Sequence, residues 1–479
     1  MNKNDLFILL NIPADDSIDI DDVHEDNGLK HARISRKATI QFCPDCHARL
    51  HSKGLKHRTV KHPIYQDGTF LILHVEQRRW TCPCCRESFN EEYPFLDRYA
   101  HSSKLTALMV LNALKDLNRS TVSVAEQFGL SDSCVHDMFS KYVDLKRLEL
   151  SEYISIDEVY LDINSNSQYA FVIMNFVTGE IIDIVHNRWS STLEDYFISI
   201  PIEERRKVKA IISDAYGPYQ NLTKFFPNSE IILDSFHVVK FIINRINAYI
   251  YEIYKKYRKI QMEKLRQNNE LTNKDNKTIQ SSLEMILLKE YKWVLLKNQD
   301  DIIYSYRRYY HKKLKMYVDT YQVEKMFFDL DSKFIKIREL KEKYIKFNSS
   351  SYSSVDEIEE TLDGIIDEYS RSEFVMFRDF SSFLKEFKPN IIKSFTTVAC
   401  TRKTKKDQED YYSRLSNGPM ESFNRKPKDY KRNARGFSNF DYTRNRILWS
   451  TRNNPSVLAI PKTAKQIHSY HKKKKDDDK

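Results

Sequence analysis

Glycine is scarce, at nine residues in 479. A chain so poor in it offers little material for the glycine-rich loops whose backbone N–H groups cradle phosphates, and no such motif is present. No apolar run approaches the roughly 18 residues needed to cross a bilayer. The opening stretch MNKNDLFILLNIPADDSIDIDD has only a short apolar segment followed by acid, so it does not read as a signal peptide. Cysteine is sparse and unevenly spread: five of the seven fall between Cys43 and Cys85. A secreted disulfide scaffold would be short and cysteine-dense, so this distribution predicts reduced thiols and a metal site in a cytosolic protein.

The length predicts two to four domains. Basic residues outnumber acidic ones 77 to 67, for a net charge of +10. So small an excess points to polyanions only where it is clustered. Residues 1–95 are expected to hold an N-terminal segment, read as a solvated leader with an acidic patch from Asp15 to Asp26, and a cysteine-bearing module. Residues 96–148 read as short helices. From 149 the period changes to apolar runs of strand length, YISIDEVYL, YAFVIMNFV, EIIDIVH, VKAIISD and SEIILD. Three strands followed by strand–helix alternation predict a mixed sheet with helices on its faces over 149–244. An all-helical stretch follows at 245–394, with a loop at 267–282. A basic block at 395–452 and a charged tail at 453–479, whose last residues HKKKKDDDK read as frayed, complete the chain.

Cys43-Pro-Asp-Cys46 and Cys82-Pro-Cys-Cys85 are two CxxC turns. Each points two thiolates at one centre, and together Cys43, Cys46, Cys82 and Cys85 complete a tetrahedral Zn²⁺ site with no open position, hence structural. Cys84 sits inside the second turn, and histidines 47, 51, 57 and 62 stand as competing ligands. In STVSVAEQFGLSDSCVHDMFSKYV, Val124, Ala125 and Phe128 share one helical face, Gly129 allows a turn, and Ser131 caps a second helix with Val135, Met138 and Phe139 inside. This is a helix-turn-helix pattern, whose second helix in DNA-binding proteins enters the major groove. Ser133, His136 and Lys141 are its candidate contacts, beside the unfavourable Asp132 and Asp137.

Asp157 follows Ile154-Ser155-Ile156 in the first strand of the α/β part, and Asp214 ends VKAIISD. A carboxylate at the end of a buried strand is rigid and open at the sheet edge, where hard divalent ions bind. SIDEVYL, IISDAYGPYQNLTKFFPNSEIILDSFHVVK and SNGPMESFNRKPKDYKRNARGFSNFDYTRNRIL together resemble the ISL3-type family of bacterial insertion-sequence transposases. The resemblance runs from about residue 40 to 450. It implies a DDE catalytic domain of ribonuclease-H-like fold, split by a large all-α insertion and preceded by a zinc ribbon and a helix-turn-helix. By motif, Asp157, Asp214 and Glu421 would be the carboxylates holding two Mg²⁺ or Mn²⁺ ions. Pro427 is expected to kink or end the helix bearing Glu421. Asp234 and His237 are second candidates for the site, with helix capping and core packing as their other roles. Arg188 is open to phosphate contact or to plain solvation.

Between Lys403 and Arg446 basic residues concentrate, among them Lys405, Lys406, Arg414, Arg425, Lys426, Lys428, Lys431, Arg432, Arg435 and Arg444, interleaved with aromatics such as Phe423 and Phe437. Arg425, Lys428, Lys431, Arg432 and Arg435 are the expected phosphate contacts. The resemblance implies binding to an element's terminal inverted repeats, metal-dependent end cleavage and strand transfer into target DNA. It also implies a dimer or larger assembly on DNA, and a bacterial, nucleoid-associated cytoplasmic location. An inactive DNA-binding regulator and a structure-specific nuclease are the rival readings.

Overall fold

Alternating apolar residues build the first sheet. The computed structural model describes residues 3–63, 70–97, 100–163, 168–267, 282–402, 411–434, 436 and 439–468. Strands β1 (Ile18–Asp26), β2 (Leu29–Arg36), β3 (His51–Pro63), β4 (Phe70–Thr81) and β5 (Ser88–Asn90) form a sheet ordered β1-β2-β4-β3, with β5 paired to β4. Ala32, Ile34, Val60, Leu71, Leu73 and Val75 point to one face and pack on Phe7, Ile12, Tyr93 and Phe95. The expected solvated leader is therefore ordered: helix Lys3–Leu10 covers this core and the acidic patch lies on β1. Asn27 and Gly28, both at positive φ, make the tight turn between β1 and β2 that twisted hairpins favour.

Three helices follow, Lys104–Ala113, Thr121–Gln127 and Asp132–Tyr142. Each begins at a serine, Ser103, Ser120 or Ser131, whose hydroxyl accepts an N–H of the first turn. Gly129 takes a φ of 54° at the turn between the last two. Their apolar faces merge with one side of the second sheet in a single hydrophobic cluster, so the boundary expected at 148 is not a break in packing.

The second sheet contains β6 (Tyr153–Tyr160), β7 (Tyr169–Asn175), β8 (Ile181–Val185), β9 (Ala210–Ser213) and β10 (Glu230–Leu233), in the order β10-β9-β6-β7-β8. The sheet is mixed, as expected: β6, β7 and β8 form an antiparallel meander, β9 runs parallel to β6, and β10 parallel to β9. Val159, Leu161, Val172 and Met174 face the three helices of residues 104–142 and the C-terminal helices. Ile154, Ile156, Phe171 and Ile173 face the opposite layer, with Phe197, Tyr219 and Phe226.

Helix Ser235–Gln267 starts directly after β10 and runs for 33 residues, so the boundary expected at 244 falls inside it. Its buried stripe Val238, Ile242, Ile246, Ile250 and Ile253 recurs at helical spacing and seeds the core of the insertion. The insertion is not all-helical: β11 (Tyr309–His311) and β12 (Met316–Val318) form a small hairpin. Most of the expected loop at 267–282 lies outside the described residues. A second strand pair, β13 (Thr397–Cys400) and β14 (Tyr411–Arg414), returns the chain to the sheet through contacts among Val398, Cys400, Phe176 and Ile212.

Helix Gly418–Asn433 then packs on β6 through Met420 and Phe423, and helix Phe440–Thr451 follows. Pro427 does not end the first of these helices; it lies buried within it, and the turn beyond closes with Ala434 N–H to Tyr430 O at 2.8 Å. Only one backbone donor is lost at a proline, and here the flanking buried residues hold the helix to the sheet. The segment after 452 is not wholly frayed. Leu458 and Lys462 donate backbone hydrogen bonds to Tyr142 and Lys141, and Lys462 pairs with Asp144 at 2.7 Å. The terminal HKKKKDDDK lies outside the described residues. No helix among the described residues is long and apolar enough to cross a membrane.

Candidate active site and zinc site

The two CxxC turns are built alike. His47 N–H donates to Cys43 O at 2.9 Å and Arg86 N–H to Cys82 O at 3.1 Å, with His47 and Arg86 both at positive φ. The four sulfurs of Cys43, Cys46, Cys82 and Cys85 lie within 4.8 Å of one another. Cys43 Sγ and Cys85 Sγ are 3.5 Å apart, and Cys46 Sγ and Cys82 Sγ 3.4 Å. A tetrahedron with Zn–S arms of about 2.3 Å has edges of about 3.8 Å, so the cluster fits zinc with little movement. The N–H of Cys85, then the Cys46 thiol and the N–H of Cys84, lower the Cys82 thiol to about 6 against the effect of burial, favouring the ligand form. The competing histidines are elsewhere: His47 is exposed, His57 faces Glu76, and buried His62 bonds Ser103 Oγ at 2.8 Å.

The strand registers place the carboxylates. Tyr153 pairs with Ala210 and Ser155 with Ile212, so continuing the register brings Asp157 beside Asp214. Leu233 pairs with Ser213, which brings Asp234 to the other side of Asp214. Three aspartates thus form one row, Asp157 within β6 and Asp214 and Asp234 immediately after β9 and β10. Glu421 enters from above, in the first turn of helix Gly418–Asn433.

Two asparagines unnoticed in the sequence hold this arrangement. Buried Asn417 donates its backbone N–H to Asp234 Oδ1 at 2.8 Å and its side-chain N–H to Ile156 O at 2.9 Å, fixing the turn before the helix. Asn424, one turn after Glu421, donates to Asp157 Oδ2 at 2.8 Å. The signal available was the spacing in Asn417-Gly-Pro-Met-Glu421-Ser-Phe-Asn424, which puts Glu421 and Asn424 on one helical face. Asp234 is fully buried, and His237 Nδ1 lies 2.9 Å from its Oδ2.

These groups share one electrostatic field. Burial raises Asp157 to about 6, with Asp214 and Glu158 adding to the shift and His237 opposing it. Burial also raises Asp214, reinforced by Glu158 and Asp234. Glu421 is raised by burial and then by Asp234, against His237, Lys240 and Arg425. Burial depresses His237, but its bond to Asp234 and the charges of Asp234, Asp214 and Asp157 raise it overall. Among the described residues the cysteines alone bring all their ligand atoms within 4.8 Å; the carboxylates are spaced more widely.

The other candidates divide between surface and interior. Arg188 is half-buried: it pairs with Glu158 and lies over Tyr169 and Tyr216, at 4.8 and 5.2 Å from the ring centres. Ser133 is exposed, but His136 stacks on Tyr442 at 4.0 Å and Lys141 pairs with Asp97 at 2.8 Å. Arg425, Lys426 and Lys428 are exposed beside Glu421. Lys431 pairs with Asp162 at 3.3 Å and Arg432 with Asp429. Arg414 and Arg444 turn inward, to Ser394 O at 2.8 Å and Asp183 Oδ1 at 2.7 Å. Arg435, Lys403, Lys405, Lys406 and Phe437 lie outside the described residues.

No curated protein matches the sequence. The family model described as Transposase, for the ISL3-type DDE group, matches residues 154–447. That span begins within β6, ends in helix Phe440–Thr451 and contains Asp157, Asp214, Asp234 and Glu421; the chain belongs to the ISL3-type DDE transposase family.

Proposed function

We propose that this transposase binds the terminal inverted repeats of an insertion sequence, cleaves the DNA at its ends and joins them to target DNA. The carrying observation is the row of Asp157 within β6 and Asp214 and Asp234 immediately after β9 and β10, facing Glu421 on the helix above. The strand order, three antiparallel strands continued by two parallel ones, supports a ribonuclease-H-like core. The serine-capped helices support a helix-turn-helix that contributes to DNA binding, with the cysteine module held by structural zinc. Assembly on paired ends as a homodimer or larger complex in the bacterial cytoplasm completes the proposal.

The donor set of Asp157, Asp214 and Glu421 is all oxygen, half-buried and negatively charged, which suits a hard divalent cation. Two Mg²⁺ or Mn²⁺ ions there would activate the attacking water or 3′-hydroxyl and stabilise the leaving oxygen. The protein's own groups set that stage. Asn424 fixes the orientation of Asp157, and Asn417, tied to Asp234, fixes the turn that delivers Glu421. His237, held by Asp234, offsets part of the negative field. Exposed Arg425 and Lys428 on the same helix would meet the phosphates entering the site. The direct test is Mg²⁺-dependent nicking of DNA carrying the element's own ends.

Asn424→Ala is expected to weaken Mn²⁺ binding by about 10- to 100-fold, as for other groups that orient a metal ligand. Titration calorimetry reads this directly, and unchanged affinity would remove Asn424 from that role. The pH dependence has a defined sign. Between about pH 4 and pH 6 the folded chain keeps a proton on Asp157 that the unfolded chain has lost, so stability falls as pH rises through this window. Asp214 and Glu421 act in the same direction, as does the raised His237 at higher pH. Without divalent ions, the Tm is expected to drop from pH 5 to pH 7.5, and Mn²⁺ at pH 7.5 is expected to restore it. A Tm rising over that range without metal would contradict this reading.

A further inference from the structure

The insertion carries a surface that neither the carboxylates nor the cysteines use. Residues 302–321 read IIYSYRRYYHKKLKMYVDTY, with six tyrosines among five lysines and arginines. Leu314 and Val318 are buried in the insertion core and, with buried Ile302, anchor the segment around the β11–β12 hairpin. Tyr304 Oη accepts a bond from Arg338 at 2.7 Å, and Arg338 is itself paired with Glu324. The tyrosines nevertheless reach solvent: Tyr306 is 80% exposed and Tyr317 68%.

Three of the rings form a column. Tyr304 and Tyr321 have centroids 4.8 Å apart with planes at 27°, and Tyr321 and Tyr306 follow at 4.5 Å and 23°. The column starts half-buried at Tyr304 and ends in solvent at Tyr306. Arg307 lies over Tyr309 at 5.2 Å, and the exposed Lys312 and Lys315 flank the hairpin turn. Phenol rings at this density do not stay in water on a monomer's account, and cations beside them select a polyanion with flat apolar faces.

We propose that this hairpin surface binds an unpaired DNA strand, with a base continuing the stack at Tyr306 and phosphates meeting Arg307, Lys312 and Lys315. A paired duplex hides its base faces, so the exposed ring column fits a single strand where cations alone would serve a duplex equally well. DNA as the partner rests on the transposase reading; the site and the unpaired state of the strand do not come from it.

The test uses the full-length protein, fluorescence anisotropy, a labelled 20-nucleotide oligo(dT) and a labelled duplex carrying the element's ends. Tyr306→Ala with Tyr317→Ala is expected to weaken oligo(dT) binding by about tenfold or more, in line with loss of base stacking. Duplex binding and Tm should stay near wild type, and Tyr306→Phe with Tyr317→Phe should bind oligo(dT) as wild type does. The proposal is overturned if the alanine variant keeps oligo(dT) affinity, if it loses duplex and single strand equally, or if it loses self-association instead. Wild-type protein that cuts its ends but ignores oligo(dT) would sink this proposal alone. Protein that binds neither DNA would sink the transposase reading with it.

Discussion

Asp214→Asn is expected to reduce metal-dependent cleavage of the element's ends by at least about a thousand-fold, while leaving the fold and end binding intact. The side chain keeps its shape, and its Oδ1 can still accept the Tyr216 N–H that it accepts at 3.0 Å in the native chain. What disappears is a negative oxygen in the centre of the Asp157–Asp214–Asp234 row. Divalent-ion chemistry contributes several kcal/mol of charge stabilisation in the transition state, and each 1.36 kcal/mol is about tenfold in rate. Removing a like charge also relieves the repulsion that raises Asp157, so the variant should bind protons less avidly at that residue. A stability equal to or above wild type, with activity gone, would separate catalysis from folding. Cleavage within tenfold of wild type would show that Asp214 does not hold a catalytic ion.

Cys82→Ser is expected to release zinc and unfold the cysteine end of the N-terminal sheet without unfolding the rest. Structural zinc in small modules contributes an apparent ~10–16 kcal/mol, which is folding free energy for a segment with little core of its own. Around the cysteines that core is only Cys43, Leu50 and Cys82 with Trp80 and Phe89 packed beside them. The distal ends of β3 and β4 and all of β5 should therefore become protease-sensitive. The sheet at 150–260 has separate apolar clusters on both faces and should survive as a resistant fragment. Metal analysis and limited proteolysis read both halves. Full zinc retention in the serine variant would mean that another ligand, with Cys84 the nearest, can replace Cys82.

Much of this arrangement was written locally. Serine caps, the glycine turn and apolar spacing marked the helices at 121–142, and the five apolar runs gave the second sheet in order. The place of Asp214 just past an apolar strand was legible in VKAIISD, whereas Asp157, expected at a strand end, lies inside β6 because the pairing with β7 continues to Tyr160. The misses are tertiary. Arg414 and Arg444 read as a basic surface, but their guanidiniums satisfy buried oxygens of distant segments. His136 stacks on Tyr442 and Lys141 pairs with Asp97, contacts that the local sequence did not show. The acidic leader gave no sign that Asp15 would bond Ser17 and pair with Arg36 at 2.6 Å, tying the first strands together. Partners separated by tens or hundreds of residues leave no periodic trace, so charge composition alone overestimates the exposed basic face.

The central claim is that the carboxylate row and Glu421 form one metal-dependent DNA-cutting site. Its most direct measurement is mapping of the products when purified protein meets a linear DNA, end-labelled on each strand, carrying the element's own ends with and without Mg²⁺. Nicks at the element boundaries that leave 3′-hydroxyls, appear only with the divalent ion and vanish in Asp214→Asn are the expected result. Tight end binding with no cleavage under Mg²⁺ or Mn²⁺, or cleavage indifferent to the end sequence, would contradict it.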